Sequence, residues 1–137
     1  MARPSVDEVF ADTFFFLALI NAGDAHYGKA IACSKSVTRI ATTEFVLLEL
    51  ADALAARRRQ SFLKTRNDLI ADRSIRIVRL DMALYEDAIE LYRDRPDKEW
   101  SLTDCTSFVV MTRLGLTEAL TGDRHFEQAG FVALFRR

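Results

Sequence analysis

The sequence predicts an α/β fold, a three-layer domain in which helices flank a mostly parallel central sheet. Three observations carry that expectation. Short runs of branched and apolar residues recur along the chain, as in Val9-Phe10-Ala11 and Ile75-Arg76-Ile77-Val78. Between them lie segments whose apolar residues fall three and four positions apart, the spacing of a buried helix face. The two kinds of segment alternate from end to end, an order that needs crossover connections and therefore parallel strands. At 137 residues the chain suits one domain, residues 1–137, able to bury roughly 68% of its unfolded surface.

Each element has its own reason. Val9-Phe10-Ala11 reads as a short buried strand running into a helix from about Thr13, which leaves Asp12 at the strand's carboxyl end. Asp24 reads as the cap of a second helix that reaches about Ser36. Arg39 to Thr42 is a second short strand. Thr43 then stands as N-cap of a long helix with Val46, Leu47, Leu50 and Leu54 on one face. A further helix covers Gln60 to Ala71. Ile75 to Leu80 is rich in branched residues and ends at Asp81, the cap of a helix carrying Leu84, Ala88, Leu91 and Tyr92. Arg93 to Trp100, with Pro96, is a polar loop. Ser101 opens the next helix, Thr117 to Leu120 is a strand, and Phe131 to Phe135 is the last short strand. There is no repeat, low-complexity tract or linker.

Composition bounds the function classes only loosely. Half the residues are hydrophobic, enough for a core. The longest wholly apolar run, Phe14 to Ile20, is far short of the ~20 residues a membrane span needs. Asp7, Glu8 and Asp12 argue against a signal peptide, so a soluble cytoplasmic protein with no membrane partner is expected. Cys33 and Cys105 are far apart and form no CxxC, which points to reduced core residues rather than zinc ligands or a disulfide. A net charge of −1 supplies no global field for a polyanion. Any nucleic acid would need a local basic patch and a cation.

The acidic residues are more informative. In FADTFFFLALI, residues 10–20, the only polar positions are Asp12 and Thr13. An ionised carboxylate taken from water without a partner costs many kcal/mol, so such an Asp is expected to be protonated, paired or cation-bound. Parallel sheets bind ligands at the carboxyl ends of their strands. Asp12 follows the first strand and Asp123 a later one, so both can open onto one crevice. Glu49 lies among Val46, Leu47, Leu48 and Leu50 and is expected to be at least partly buried. Asp104 stands in the first turn of the helix opened by Ser101. Taken singly, Asp104 and Asp123 also read as helix caps and Glu49 as an ion-paired helix residue. Four ionised carboxylates at one crevice repel strongly, and Mg²⁺ or Mn²⁺ would resolve that repulsion.

The series Phe10-Ala11-Asp12-Thr13, Thr42-Thr43 with Val46-Leu47-Leu48-Glu49, SLTDCTSF at residues 101–108 and LTGDRHFEQAGF at residues 120–131 resembles PIN-domain ribonucleases, and among them the VapC-type toxins of type II toxin-antitoxin modules. The resemblance spans nearly the whole chain in the right order, and TGDRHFEQAGF is its most specific piece. It implies a PIN-like fold and a metal-dependent endoribonuclease that hydrolyses RNA phosphodiester bonds. The quartet Asp12, Glu49, Asp104 and Asp123 would be the catalytic, metal-holding residues, with one or two Mg²⁺ or Mn²⁺ ions. Such ions activate water and offset charge on the phosphate. The resemblance further implies a cognate antitoxin protein as partner and a homodimer.

Other residues fit around that centre. Thr13 and Ser101 read either as caps or as hydroxyls that orient water or a carboxylate. His125 is near Asp123 and reads either as touching substrate or, as the resemblance implies, as part of a packing motif with Phe126, and Tyr27, beside His26, stands where many relatives carry a His. Asp52 follows Glu49 by one turn as a supporting or a solvated acid. Arg57, Arg58 and Arg59, with Lys64 and Arg66 following, are the candidate RNA-phosphate contacts. They also read as charges complementing a helix C-terminus, or as antitoxin contacts. A non-catalytic PIN-like module that binds RNA or protein is the alternative function. An aspartyl-phosphate phosphatase is disfavoured, because Phe14 stands where a DxDxT motif needs its second Asp.

Overall fold

A computed structural model describes residues 8–137. Asp7, one of the acids that argue against a leader, lies outside the described residues. The chain runs β1 Glu8–Ala11, α1 Thr13–Ile20, α2 Tyr27–Ser36, β2 Arg39–Thr43, α3 Glu44–Leu54, α4 Arg59–Ala71 and β3 Ile75–Val78. It continues through α5 Met82–Asp94, α6 Leu102–Leu114, β4 Glu118–Leu120, α7 Arg124–Gln128, β5 Val132–Ala133 and a closing 3₁₀ turn Leu134–Arg136. The five strands form one sheet in the order β3-β2-β1-β4-β5, and every pairing is parallel. This is the three-layer α/β architecture that the alternation of segments predicts.

The strand order positions the site. From β1 the chain winds one way to β2 and β3, and β4 then returns to the other side of β1. The reversal falls between β1 and β4, where Ala11 pairs with Leu120 and the Asp12 amide donates to the Leu120 carbonyl at 3.5 Å. Open parallel sheets form their ligand crevice where the order reverses, outside the carboxyl ends of the strands. Asp12 and the segment Thr121-Gly122-Asp123 emerge there side by side.

Beneath that crevice the core is rigid. Val9, Phe10 and Ala11 are all buried, as a central parallel strand covered on both faces requires. Phe10, Phe108 and Phe126 pack ring on ring, Phe10 to Phe126 at 6.3 Å and Phe108 to Phe126 at 5.0 Å between centroids. Each such buried aromatic contributes about 1.5–3 kcal/mol over its exposed state. Trp100 adds its face to Phe108 and donates from Nε1 to Gln128 Oε1 at 3.0 Å, which ties the loop before α6 to the end of α7. At the other end of α6, Gly115 takes a left-handed φ of 70°, a conformation open to glycine at little cost, and closes the helix.

Caps fall where side-chain chemistry predicts them, with some exceptions. Thr43 accepts from the Val46 amide and Asp81 from the Leu84 amide. Asp24 does not cap α2: it accepts from the His26 amide at 2.8 Å and forms a turn ahead of the helix, whose N-cap is His26. Strand β3 stops at Val78 because the Leu80 amide is taken by Glu44 Oε1 rather than by a neighbouring strand. The segment expected as one last strand, Phe131 to Phe135, splits into two strand residues and the 3₁₀ turn. Helix α7 is too short to show periodicity, and only the reading of Asp123 as a cap points to it. Cys105 is a core residue as expected, whereas Cys33 is only partly buried, and both are free thiols. No helix among the described residues is long and apolar enough to cross a membrane.

Candidate active site

Two threonine hydroxyls tie the acidic residues together. Thr121 Oγ1 donates to Asp12 Oδ2 at 3.0 Å and accepts from the Asp123 amide at 3.0 Å, so one buried hydroxyl sets two acids at once. Thr13 Oγ1 donates to Glu49 Oε1, bringing α3 to the start of α1. Asp123 N-caps α7 through Oδ1, which accepts from the His125 amide at 2.8 Å. Ser101 and Asp104 form a reciprocal capping box: Ser101 Oγ accepts from the Asp104 amide at 2.9 Å, and Asp104 Oδ2 accepts from the Ser101 amide at 3.1 Å. The capping roles expected of Ser101, Asp104 and Asp123 are therefore real, and they pin both carboxylates in place.

Gly122 allows the close approach. A Cβ there would stand 2.6 Å from Phe14 Cζ, and the Phe14 ring is held in turn by His26 at 4.9 Å and Phe135 at 5.7 Å. His26 is thus a packing residue.

Burial sets the electrostatics. Asp12 is 5% exposed, and its carboxyl is pushed from the ordinary 3.8 up to about 7. Desolvation is the first cause, repulsion from Asp104 the second, and Glu49 adds a smaller push against the Thr121 hydrogen bond. Asp104 is raised by the same desolvation, opposed chiefly by the His125 imidazole and aided by Asp123. Beside it, burial and then Asp104 push the Cys105 thiol up to about 11, leaving it inert. Among the described residues, no lysine or arginine forms an ion pair with Asp12, Glu49, Asp104 or Asp123. Crowded carboxylates without a protein cation are a donor set of hard oxygens matched to a divalent ion. One donor atom from each of Asp104, Asp123 and His125 lies within 4.8 Å of the other two.

Two residues acquire roles that periodicity does not reveal. Thr121 is the hinge between Asp12 and Asp123, and its only sequence signal is the Thr-x-Asp spacing, in which a hydroxyl can accept from the amide two residues on. His125, read from sequence as packing with Phe126, turns its imidazole to the acids instead. Its Nδ1 lies 3.0 Å from Asp104 Oδ2 and 3.4 Å from Asp123 Oδ1, while Phe126 alone fills the core. Asp52 is exposed, which leaves it as a solvated acid.

The basic residues sit apart from this network. Arg57 and Arg58 lie in the exposed turn between α3 and α4 and Arg59 opens α4, its Nε donating back to the Ala55 carbonyl at 2.7 Å. Lys64 is paired with Asp68 at 2.8 Å and lines a groove between α1, α2 and α4 that includes none of the four acids.

Known proteins resemble this chain in sequence and fold. Residues 9–132 match the family model of the PIN domain. The 23S rRNA-specific endonuclease VapC20 of Mycobacterium tuberculosis is 33% identical over 126 residues, covering 90% of this chain and 95% of that protein. The crystal structure of M. tuberculosis VapC20, described as a Sarcin-Ricin loop cleaving toxin, superposes with a TM-score of 0.83 at 30% identity, over 90% of this chain and 96% of that one. VapBC2 from Rickettsia felis, solved bound to a DNA fragment from its promoter, shares the fold with a TM-score of 0.65 at 13% identity, over 92% of this chain and 96% of that one. A match running from β1 into β5, joined to one-third identity across nine-tenths of the chain, shows that this protein belongs to the PIN-domain family.

Proposed function

We propose that the protein is a divalent-metal-dependent endoribonuclease, the toxin of a toxin-antitoxin pair, with Asp12, Glu49, Asp104 and Asp123 as its metal-holding catalytic residues. One observation carries the reading: four carboxylates from four separate elements are drawn to the sheet's switch point by Thr13, Thr121 and two helix caps, with no lysine or arginine among the described residues paired with them. Mg²⁺ or Mn²⁺ bound there would activate water and offset the charge that develops on the scissile phosphate. The chain's own part is placement. Thr121 holds Asp12 against the backbone of Asp123, Thr13 orients Glu49, and the Ser101 capping box fixes Asp104. Phe10 and Ala11 lie buried in the strand that leads to Asp12.

Several finer points belong to the same proposal. The substrate is RNA, and the name of the M. tuberculosis relative makes 23S rRNA the first to try. Arg57, Arg58, Arg59 and Lys64 take the flanking phosphates. A cognate antitoxin covers the acidic centre, consistent with the toxin description of that relative. The protein works in the cytoplasm as a single domain over residues 1–137 and pairs as a homodimer. Leu80, Met82 and Tyr85, exposed around the start of α5, are apolar side chains of the kind two copies bury.

The test is incubation of purified, antitoxin-free protein with ribosomal RNA, in Mg²⁺ or Mn²⁺ against excess chelator, comparing wild type with Asp104→Asn. Cleavage that requires the metal and falls about a hundredfold or more in the variant supports the assignment. Metal-independent cleavage, or full activity in the variant, refutes it. Absence of cleavage with well-folded protein favours the binding-module alternative.

A further inference from the structure

One donor atom from each of Asp104, Asp123 and His125 lies within 4.8 Å of the other two. Ligands of a hard divalent cation at about 2.1 Å in octahedral geometry are about 3.0 Å apart along each edge of the octahedron. His125 Nδ1 stands 3.0 Å from Asp104 Oδ2 and 3.4 Å from Asp123 Oδ1, separations that suit a hydrogen bond and would equally suit neighbouring ligands of one cation. The two oxygens are not free to drift. Asp104 Oδ2 is held by the Ser101 amide, and Asp123 Oδ1 by the His125 amide itself. The backbone bond that caps α7 thus fixes the imidazole's own approach to the acid. The ring is 19% exposed and reaches the crevice from its rim.

From this geometry we infer that His125 supplies a nitrogen ligand, through Nδ1, to the cation shared by Asp104 and Asp123, and that this imidazole makes the centre prefer Mn²⁺ to Mg²⁺. The inference rests on the metal-dependent nuclease reading and deepens it by assigning the metal. Carboxylate and water oxygens serve both ions, whereas imidazole suits transition metals and adds little for Mg²⁺. A centre of oxygens alone would discriminate weakly. The competing arrangement keeps His125 as a hydrogen-bond donor that orients Asp104 without touching the ion, and removing such a partner weakens both metals alike.

Metal binding by tag-free, full-length protein separates the two without any RNA. In calorimetry the wild type binds Mn²⁺ about tenfold or more tighter than Mg²⁺. In His125→Ala and His125→Gln the Mn²⁺ constant weakens about tenfold while that for Mg²⁺ stays within about threefold, so the ratio collapses. Pulsed electron paramagnetic resonance of the Mn²⁺ complex gives a direct reading, because a ligating imidazole leaves a ¹⁴N coupling. The chain has two histidines, and the other, His26, packs against Phe14 and Phe135, so His26→Gln keeps the coupling and His125→Gln loses it. Circular dichroism melts show that each variant is folded at the temperature of measurement.

Equal weakening of both metals, or Mn²⁺ bound without ¹⁴N coupling in the wild type, overturns the inference and leaves the nuclease assignment standing. Failure of the wild type to bind either metal overturns both.

Discussion

Replacing Asp12 by Asn is expected to stabilise the metal-free protein while removing its response to metal. Asp12 is buried, and its carboxyl sits at about 7 in place of 3.8, first through desolvation and then through Asp104. The folded chain therefore holds a proton between those values that the unfolded chain releases, and metal-free stability falls as pH rises through that window. At about 1.4 kcal/mol per pH unit, the interval between 3.8 and about 7 sets a ceiling of about 4 kcal/mol. About 3 kcal/mol of this develops between pH 5 and pH 8. The amide side chain of the Asp12→Asn variant is nearly isosteric with the carboxyl, keeps an oxygen to accept from Thr121 and carries no charge, so it escapes the penalty. Urea unfolding with chelator at both pH values reads the effect: the variant gains on the wild type as pH rises. Added Mn²⁺ narrows the gap, since a ligand at a hundred times its Kd stabilises the wild type by about 2.7 kcal/mol and the variant far less. A difference between the two proteins that is the same at pH 5 and pH 8 refutes the reasoning. So does a variant that gains as much from metal as the wild type.

Other perturbations probe the supports of the site. Gly122→Ala sets a methyl 2.6 Å from the Phe14 ring and is expected to cost about 1–3 kcal/mol by thermal melts, with Phe14→Leu restoring part of it in the double variant. Thr121→Val leaves Asp12 Oδ2 and the Asp123 amide without their shared hydroxyl; a loss of about 1–3 kcal/mol and of metal affinity is expected, and Thr121→Ser recovers both. Ser101→Ala breaks the capping box, lowers stability by about 1 kcal/mol and lets Asp104 wander, so calorimetry detects weaker metal binding that Ser101→Thr repairs. Replacing Arg57, Arg58 and Arg59 together by Ala reduces the slope of log affinity against log salt for single-stranded RNA by up to about 2, measured with a metal-binding-deficient protein that cannot cut.

The elements legible in the sequence are those with local causes. Strand β1 is apolar from Val9 to Ala11, and α3 and α5 carry apolar faces behind Thr43 and Asp81 caps. Where the cause is not local, the residue pattern carries little sign of it. Helix α7 exists because Asp123 caps it and Phe126 is pulled into the core beside Phe10 and Phe108, neither of which is near it in sequence. Strand β3 ends early because Glu44 reaches across from α3 to take an amide.

Sequence alone determined the alternation of strands and helices, the motif pattern of the family and the identity of four acids worth suspecting, because residue type and spacing are properties of a short stretch of chain. Tertiary structure decided what those acids are to one another. The switch between β1 and β4 sets Asp12 beside Thr121, α3 carries Glu49 to Thr13, and α7 turns His125 onto Asp104 across 21 positions of sequence. Burial and mutual repulsion, which raise the Asp12 carboxyl to about 7, arise only when separate elements crowd their charges into one dry crevice.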